Sequence, residues 1–429
     1  MDKKEVFKKF IEENEILIVD KNPGSRNRLL KIMYDLGAKR HMIHTAGSLI
    51  EAEQILNSKN IRIVLSDYFI AGGSGFDLFK MLREKKPQNK NNIFILVTSN
   101  ISQTAVAKAA EEDVDSFIIK PYTIQSIQEN LISTISSKIQ PSEYIVKIEE
   151  GKSLLFESKF SEAIDVFKVA TGLHQKPALA MFYIGQAEYF RNFVNEAKDS
   201  YNRGLSFNNI HFKCLIGLYD LLMKENHYHE AYQVVKKVAR YFPANPDRLT
   251  EIVRLAIKTE NFQDMQFYYE IFTSLEERTS VLVNYIGAGM YISGKHSLIN
   301  KNTDTALQYF DNIAVSCSEF TKFVRAMITL LIEYDKGDEA IKYLSRFPAG
   351  SDNNEDFLVS DYLVNSKKTV NPNFLVKKGL DLYNRQIRDY NCMKVMLMAM
   401  KNSGYKDEKI GPFQQEMLSL WPDKDTVSA

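Results

Sequence analysis

The sequence predicts a chain of two parts, a doubly wound α/β domain followed by an all-α array of helical repeats. In residues 14–140, five apolar strands alternate with five helical segments, which is the pattern of a parallel sheet covered on both faces. Beyond these residues the strand pattern stops, and similar helical segments recur at a regular interval of about 34 residues. We therefore expect at least two domains.

The composition is that of an ordinary globular protein and argues against several function classes. Among 429 residues, 45% are hydrophobic, and 55 basic residues face 54 acidic ones. The net charge of +1 gives no general attraction to nucleic acid or anionic lipid. Widely separated cysteines (Cys214, Cys317 and Cys392) predict free thiols in a reducing compartment. Since no run of about 18 apolar residues appears, we expect a cytoplasmic protein without membrane or nucleic-acid partners.

Each predicted strand of the first domain is a short apolar run that a helix follows. The strands are read from the segments EILIVD, RHMIHTA, IRIVLSD, NIFILVTS and DSFIIK. The helices are read from KNPGSRNRLLKIMYDLG, SLIEAEQILNS, GFDLFKMLREK, SQTAVAKAAEE and TIQSIQENLISTI. Continuous apolar strands such as EILIV are typical of a sheet buried on both faces.

Polar residues stand at the ends of these strands, where a doubly wound sheet binds its ligands. The ends carry Asp20 followed by Lys21, Asp67, Thr98 and Lys120. A carboxylate can act as a nucleophile, a hydroxyl can donate to a phosphoryl oxygen, and an ammonium can neutralise its charge. The sequence therefore predicts a phosphoryl site at this edge of the sheet.

Residues 14–138 resemble a bacterial receiver domain, the flavodoxin-like phosphoacceptor domain of two-component signalling. Four elements in order carry the resemblance, namely LIVDKNPGSR, VLSDYFIAGGSGFDLF, ILVTS and FIIKPY. Each of them stands at a predicted strand end. The resemblance implies that Asp67 is phosphorylated by a histidine kinase or a small phosphodonor.

The resemblance also implies a Mg²⁺ site, which one substitution should weaken. Its ligands would be Asp20, Asp67 and the backbone carbonyl of Phe69. Most receivers carry a second acid where this chain has Lys21, and Mg²⁺ cannot use an ammonium as a ligand. At an effective dielectric of 20, two charges about 4 Å apart interact by about 4 kcal/mol, so metal binding should suffer unless Lys21 turns to solvent. A further hypothesis is that Lys21 pairs with Asp67 or Asp20 and replaces the cation.

Three more residues receive roles from the same resemblance. Thr98 and Lys120 would contact the phosphoryl group, and Phe117 would be the aromatic side chain that repositions on activation. Lys120 precedes Pro121, and the resemblance implies a cis peptide bond between them. A receiver fold that has lost its phosphate chemistry stays open as the alternative.

The second part of the chain carries small residues at fixed spacing. Its equally spaced alanines are each followed, four residues later, by a large side chain, and glycines stand twelve residues before the first two. These signature positions are Gly151, Ala163, Gly185, Ala197 and Ala231, with Pro243 twelve residues after the last alanine. A small residue here lets two helices approach closely, and the large side chain fills the space between neighbouring pairs.

The spacing continues to the middle of the last third of the chain. Met265 follows Ala231 after 34 residues, and Ala306 follows Met265 after 41 residues, seven more than the regular interval. Ala340 then follows after 34 residues. The pattern resembles the tetratricopeptide repeat, with six repeats of which the fourth is degenerate. The resemblance implies an all-α superhelix whose groove binds a protein partner.

These patterns predict four segments: a helical extension over residues 1–13, a receiver over 14–140, a repeat array over 141–354 and a helical cap over 355–429. The architecture indicates a response regulator without an enzymatic output, in which the receiver controls protein binding by the repeats. Alternatives are a phosphorylation-independent scaffold and an adaptor or phosphatase-type regulator of another signalling protein. A homodimer is also compatible with the sequence.

Overall fold

The computed structural model describes residues 2–85, 92–98, 114–242, 246–275, 278–317, 319–368 and 371–424. The chain divides into two compact units, residues 1–245 and 246–429, and each is described here by itself. Two sequence predictions, the helix over residues 102–112 and the signature residue Pro243, lie outside the described residues.

A five-stranded parallel sheet forms the centre of the N-terminal domain. Its strands are β1 (Glu15–Val19), β2 (Ile43–Ala46), β3 (Ile61–Asp67), β6 (Ile93–Thr98) and β7 (Ser116–Ile119). The order across the sheet is β2-β1-β3-β6-β7, and a small antiparallel pair, β4 (Phe69–Ile70) and β5 (Gly73–Ser74), follows β3. This order reverses direction at β1, which confirms the predicted doubly wound fold.

Helices cover the two faces of this sheet. They are α1 (Lys3–Glu13), α2 (Pro23–Asp35), α3 (Leu49–Ser58), α4 (Gly75–Lys85) and α5 (Ile124–Ile139). One buried apolar cluster joins α1, α2 and α5 to the sheet, and a second joins α3 and α4 to the opposite face. The strand interiors are fully buried, as their continuous apolar sequences predict.

The first helix packs onto the core of this domain. Asp2 caps α1 by accepting a hydrogen bond from the backbone of Lys4. Val6, Phe7 and Ile11 of α1 are buried in the same apolar cluster as residues of α2 and α5. The helix therefore contributes to the stability of the α/β domain, although its sequence suggests a separate extension.

The described residues after α5 are mainly helical, as predicted. In the first unit the helices are α6 (Glu143–Phe156), α7 (Phe160–Gly172), α8 (Ala178–Phe190), α9 (Val194–Phe207), α10 (Phe212–Lys224) and α11 (Tyr228–Tyr241). In the second unit they are α12 (Pro246–Lys258), α13 (Met265–Ser274), α14 (Ser280–Ile299), α15 (Thr303–Ser316), α16 (Thr321–Glu333), α17 (Gly337–Leu344), α18 (Glu355–Lys368), α19 (Pro372–Asn384), α20 (Tyr390–Asn402) and α21 (Asp407–Leu420).

Helix pairs repeat with the spacing that the alanines predict. Gly151 of α6 lies against the Phe167 ring of α7, so close that an added Cβ would stand 2.3 Å from a ring carbon. Gly294 makes the same approach to Phe310. Phe167 and Phe310 each stand four residues after a signature alanine, Ala163 or Ala306. Each ring packs onto a glycine of the preceding helix, and a larger residue in place of that glycine would separate the helices.

The turns inside the helix pairs share an unusual backbone conformation. One residue of each turn has a positive φ between 55° and 62°, and these residues are Ser158, Asn192, Asn226, Glu260, Lys301 and Asp335. They recur at the same intervals as the signature alanines, including the one longer step. The left-handed conformation lets the last carbonyls of the first helix accept backbone hydrogen bonds, as from Lys159 to Leu154 at 2.8 Å.

The seven additional residues of the fifth pair lengthen a helix. Helix α14 has 20 residues, whereas its counterparts α8, α10 and α12 have 13 each. Seven residues make almost two helical turns and add about 10 Å of length. The buried face of the helix therefore keeps its orientation across the insertion.

The last four helices, α18 to α21, share a buried apolar cluster. The single tryptophan of the chain, Trp421, packs against this cluster, with its ring centroid 5.8 Å from that of Tyr390. Within the part of the chain that the structure describes, we find no helix with the length and apolar character needed to cross a membrane.

We predict that Phe7→Ala lowers the free energy of unfolding of the α/β domain by about 3–5 kcal/mol, because the ring is 1% exposed and its removal leaves a cavity. Phe156→Ala is the matched control, since Phe156 is 93% exposed. Differential scanning calorimetry of the full chain measures both. Equal effects of the two substitutions would contradict the packing of α1.

A second prediction concerns the left-handed turn. Lys301→Gly should raise the stability of its unit by up to about 1 kcal/mol, because glycine adopts a positive φ without a Cβ clash. Lys295→Gly, within α14, should lower it by about 1 kcal/mol. Trp421 fluorescence during urea unfolding reports on this unit, and destabilisation by Lys301→Gly would contradict the assigned conformation.

Candidate functional site

Three strand ends meet at one edge of the sheet. Asp20 follows β1, Asp67 is the last residue of β3, and Lys120 follows β7. Because all three strands are parallel, their carboxyl ends lie at the same edge, as the sequence predicts. The structure brings these three side chains into direct contact.

The ammonium group of Lys120 bridges the two carboxylates. Its Nζ donates to Oδ2 of Asp20 at 2.7 Å and to Oδ2 of Asp67 at 2.8 Å. Asp20 is 1% exposed and Asp67 is 9% exposed. A shared cation at this distance offsets the repulsion between two buried carboxylates.

The second oxygen of each carboxylate accepts a backbone hydrogen bond. Oδ1 of Asp20 accepts from the N–H of Asn22 at 2.8 Å, and Oδ1 of Asp67 accepts from the N–H of Tyr68 at 2.7 Å. Each carboxylate is thereby fixed at both oxygens. Such hydrogen bonds favour the ionised form of an acid.

The pKa shifts follow from these contacts. Burial opposes ionisation of Asp20, but hydrogen bonds from Lys120, Ser25 and Asn22 outweigh it and lower the Asp20 pKa below its usual 3.8. Burial likewise opposes the charge of Lys120, yet its bonds to Asp20 and Asp67 raise the Lys120 pKa above 10.5. Lys120 and Asp20 are therefore both charged at neutral pH.

Local sequence explains why these residues stand where they do. Pro23 begins α2, and the side chain of Asn22 caps this helix by accepting from the N–H of Ser25 at 3.1 Å. Gly75 begins α4 directly beside β3, where an added Cβ would stand 2.5 Å from the carbonyl oxygen of Asp67. Only glycine allows this close approach without a shift of the backbone.

Lys21 does not make the carboxylate contact that we considered from the sequence. The cation that the structure pairs with Asp20 and Asp67 is Lys120. Lys21 is exposed, and its Nζ lies 5.8 Å from the ring centroid of Phe69. Asp20 is held by Lys120 and by the N–H of Asn22, whereas Lys21 follows it outside β1 with its side chain exposed.

The donor set in this arrangement does not fit a magnesium ion. Mg²⁺ needs oxygen ligands in a near-octahedral arrangement, whereas an ammonium group occupies the position between the two carboxylates. Lys21 adds a second positive charge at the edge. Among the described residues, no cluster of three or more His, Cys, Asp or Glu side chains could hold a metal ion.

The other predicted site residues have fixed backbone positions. Phe69 lies in β4, and Thr98 is the last residue of β6, paired with Ile119, while the side chain of Thr98 lies outside the described residues. Phe117 lies in β7 and is 38% exposed, and its carbonyl accepts a hydrogen bond from Asn130 of α5 at 3.2 Å. The Lys120–Pro121 peptide bond is cis.

Two arginines that the sequence patterns did not single out lie at the same edge of the sheet and contact backbone carbonyls. Arg26 donates from Nη1 to the backbone carbonyl of Asp20 at 2.5 Å. Arg28 donates to the carbonyl of Tyr122 at 3.0 Å and stacks on its ring, so it fixes the turn after Lys120. A pocket of about 700 Å³ opens between this turn and the start of α2. The feature of the sequence that could have identified Arg26 and Arg28 is their position, two residues apart, on the first turns of α2.

The N-terminal residues are similar in sequence to known receiver domains. The family model of the response regulator receiver domain matches residues 16–132. The chemotaxis protein CheY of Pseudomonas aeruginosa is 26% identical over 117 residues, which are 27% of this chain and 92% of that protein. The two-component response regulator ORR3 of Oryza sativa is 27% identical over 110 residues, 25% of this chain and 81% of that protein.

Two solved structures show more distant likenesses. The signal receiver domain of an HD domain-containing protein from Pseudomonas fluorescens is 23% identical, covers 30% of this chain and 91% of its own, and has a TM-score of 0.27. A tetratricopeptide repeat protein from Parabacteroides merdae is 13% identical, covers 64% of this chain and 98% of its own, and has a TM-score of 0.29.

We predict that Lys120→Met lowers the free energy of unfolding of the α/β domain by about 3 kcal/mol at pH 7, because it leaves two buried carboxylates without their shared cation. The difference should shrink as the pH falls below the usual carboxyl pKa of 3.8, since protonated acids need no cation. Calorimetry across this pH range measures it.

The matched control is Lys147→Met, which removes an exposed ion pair with Glu150. Its effect should stay below about 1 kcal/mol. If Lys120→Met were no more destabilising than the control, the bridge would not hold the site together.

Proposed function

We propose, from the premise that the N-terminal domain is a response regulator receiver domain, that phosphorylation of Asp67 controls protein binding by the helical repeats. The observation that carries the proposal is the Lys120 ammonium between Asp20 and Asp67. This arrangement supplies a nucleophilic carboxylate with a cation already beside it. A histidine kinase or a small phosphodonor would be the source of the phosphoryl group.

The proposed reaction is a transfer of the phosphoryl group to a carboxylate oxygen of Asp67. This oxygen would attack the phosphorus atom, form an acyl phosphate and release the donor group. Lys120 stands 2.8 Å from Oδ2 and can neutralise the charge that arrives. Thr98 would contact a phosphoryl oxygen, which remains a prediction from its place at the end of β6.

The bridge explains how phosphorylation would change the domain. A phosphoryl group adds negative charge at Asp67 and competes with Asp20 for the same ammonium. Lys120 ends the strand that carries Phe117, so a shift of Lys120 would act on Phe117 and on its contact with Asn130 of α5. We propose that this face signals to the output.

We propose that this arrangement gives the site little affinity for Mg²⁺, whose ligands by the receiver resemblance would be Asp20, Asp67 and the carbonyl of Phe69. Lys120 occupies the position between the two carboxylates, and the charge of Lys21 adds to the repulsion of a cation at this edge. These ligand assignments extend the receiver resemblance to this chain.

The output is proposed to be binding rather than catalysis. Helical repeats at a regular interval present successive similar surfaces, which suits a helix or an extended peptide in a groove. We propose a protein partner, a cytoplasmic setting and segment boundaries at residues 13, 140 and 354. A homodimer is compatible with the proposal.

A phosphorylation-independent scaffold is the second candidate, and the same bridge favours it. Lys120 holds both carboxylates without a phosphoryl group or a metal ion and offsets part of their charge, so the domain already has a hydrogen-bonded resting state. In that case the receiver fold would serve only as an assembly surface for the repeats.

Intact-protein mass spectrometry after incubation with acetyl phosphate distinguishes these candidates. We predict one added phosphoryl group on the wild type, none on Asp67→Asn, and one on the control Asp77→Asn, whose carboxylate binds Ser74 instead. Incubation with and without Mg²⁺, on wild type and Lys21→Asp, measures the influence of Lys21.

Each outcome is decisive. Phosphorylation only in Lys21→Asp would mean that Lys21 silences the site, and it would favour the scaffold. Phosphorylation of Asp67→Asn to the wild-type extent, or of none of the proteins, would overturn the assignment of Asp67.

A further inference from the structure

A second cavity lies among the turns of the first helix pairs, away from the carboxylate site. It has a volume of about 680 Å³, and its walls come from the first turn of α6, the turn between α7 and α8, and the turn between α9 and α10. A cavity of this size is typical of sites that take a peptide side chain or a small molecule. All of its lining residues belong to one compact unit.

In two histidines that line this cavity, one ring nitrogen already accepts a hydrogen bond from the backbone. Nδ1 of His174 accepts the backbone N–H of Lys176 at 3.0 Å. Nδ1 of His211 accepts the backbone N–H of Cys214 at 3.3 Å. Each neutral ring then carries its proton on Nε2, at the opposite edge of the ring, where it can donate to a ligand.

An asparagine and a tyrosine that line the cavity also accept hydrogen bonds from backbone N–H groups. Oδ1 of Asn208 accepts the N–H of Ile210 at 3.2 Å, which leaves its NH₂ group as a donor. The hydroxyl oxygen of Tyr144 accepts the N–H of Ala180 at 3.2 Å, and Tyr144 is only 7% exposed. Burial raises the pKa of Tyr144, so its hydroxyl keeps the proton that it can donate.

The remaining lining completes a donor-rich pocket with an apolar wall. Lys176 contributes an ammonium group, and Leu179 and Phe207 contribute apolar surface. Ser206 and Asn209 also line the cavity, and the Ser206 hydroxyl donates to the carbonyl of Arg203. No Asp or Glu is among the described residues that line the cavity. Burial, with Lys213 nearby, lowers the pKa of His211 to about 4, so this ring acts as a neutral donor at physiological pH.

We propose that this pocket binds a carboxylate of an acidic peptide, with an apolar neighbouring residue of the peptide against Leu179 and Phe207. Four lining side chains each accept a backbone N–H, and each keeps an N–H or O–H group that can donate to a ligand. Donor groups beside an ammonium select an anion. The inference that the carboxylate belongs to a peptide rests on the proposed role of the repeats in protein binding. The inference that the ligand is an anion rests on the lining of the pocket alone.

Histidine NMR on the full chain tests this proposal, since the chain has only seven histidines. The ¹⁵N-histidine-labelled protein is titrated with the capped peptide acetyl-Leu-Glu-Leu-amide, with its glutamine counterpart, and with inorganic phosphate. We expect saturable shifts of His174 and His211 with the glutamate peptide, and at least tenfold weaker binding of the glutamine peptide. The exposed His227 and His229 should not shift.

Asn208→Asp is the sharpest variant, because it keeps the Oδ1 acceptor for Ile210 and replaces the donor NH₂ by a carboxylate oxygen. It should weaken binding of the glutamate peptide at least tenfold, whereas Lys147→Ala, at a surface lysine elsewhere on α6, should not change it. Circular dichroism checks that both variants fold.

Equal binding of the two peptides, equal shifts at His227, or unchanged binding by Asn208→Asp would overturn the proposal. Binding of phosphate without binding of the glutamate peptide would also overturn it, since the pocket would then select a phosphoryl anion. Phosphorylation of Asp67 is measured separately by mass, so failure of this proposal is distinguishable from failure of the receiver assignment.

Discussion

The contact of one ammonium group with two carboxylates is the interaction on which the candidate site depends. Lys120 reaches from the end of β7 past the end of β6 to Asp67 on β3 and to Asp20 after β1. Two buried carboxylates on neighbouring strands would repel each other strongly without a cation. The fold brings the cation from the far side of the sheet and places it between the two carboxylates.

The same contact joins the site to the rest of the first unit. Lys120 continues β7, and the carbonyl of Phe117 on this strand binds Asn130 of α5. Helix α5 ends at Ile139 and α6 begins at Glu143, so only three residues separate the α/β domain from the repeats. A change in the pairing of Lys120 therefore has a short covalent path to the helices that we propose as the output.

Sequence patterns predicted the parts of the molecule that depend on regular periodicity. Strand ends placed Asp20, Asp67 and Lys120 together because the carboxyl ends of parallel strands share one edge. The alanine spacing likewise predicted the helix pairs, since close helix packing needs a small residue at a regular interval.

The remaining features depend on contacts that no local pattern encodes. The sequence alone left the pairing of Lys21 open, and the structure leaves this side chain exposed beside the Phe69 ring. Glu260 and Lys301 adopt positive φ although neither residue type favours it, because the packing of the helices imposes the turn. The donor pocket near Asn208 is equally hidden, since it arises from turns that are distant in sequence.

The most direct test of this account is a carboxyl ¹³C NMR titration of Asp20 in the wild type and in Lys120→Met. The account predicts an Asp20 pKa below 3.8 in the wild type, because the bonds from Lys120 and the backbone outweigh burial. It predicts a value above 3.8 in Lys120→Met, where burial and the nearby Asp67 both oppose ionisation. An Asp20 pKa that is the same in both proteins would contradict the central role of the bridge.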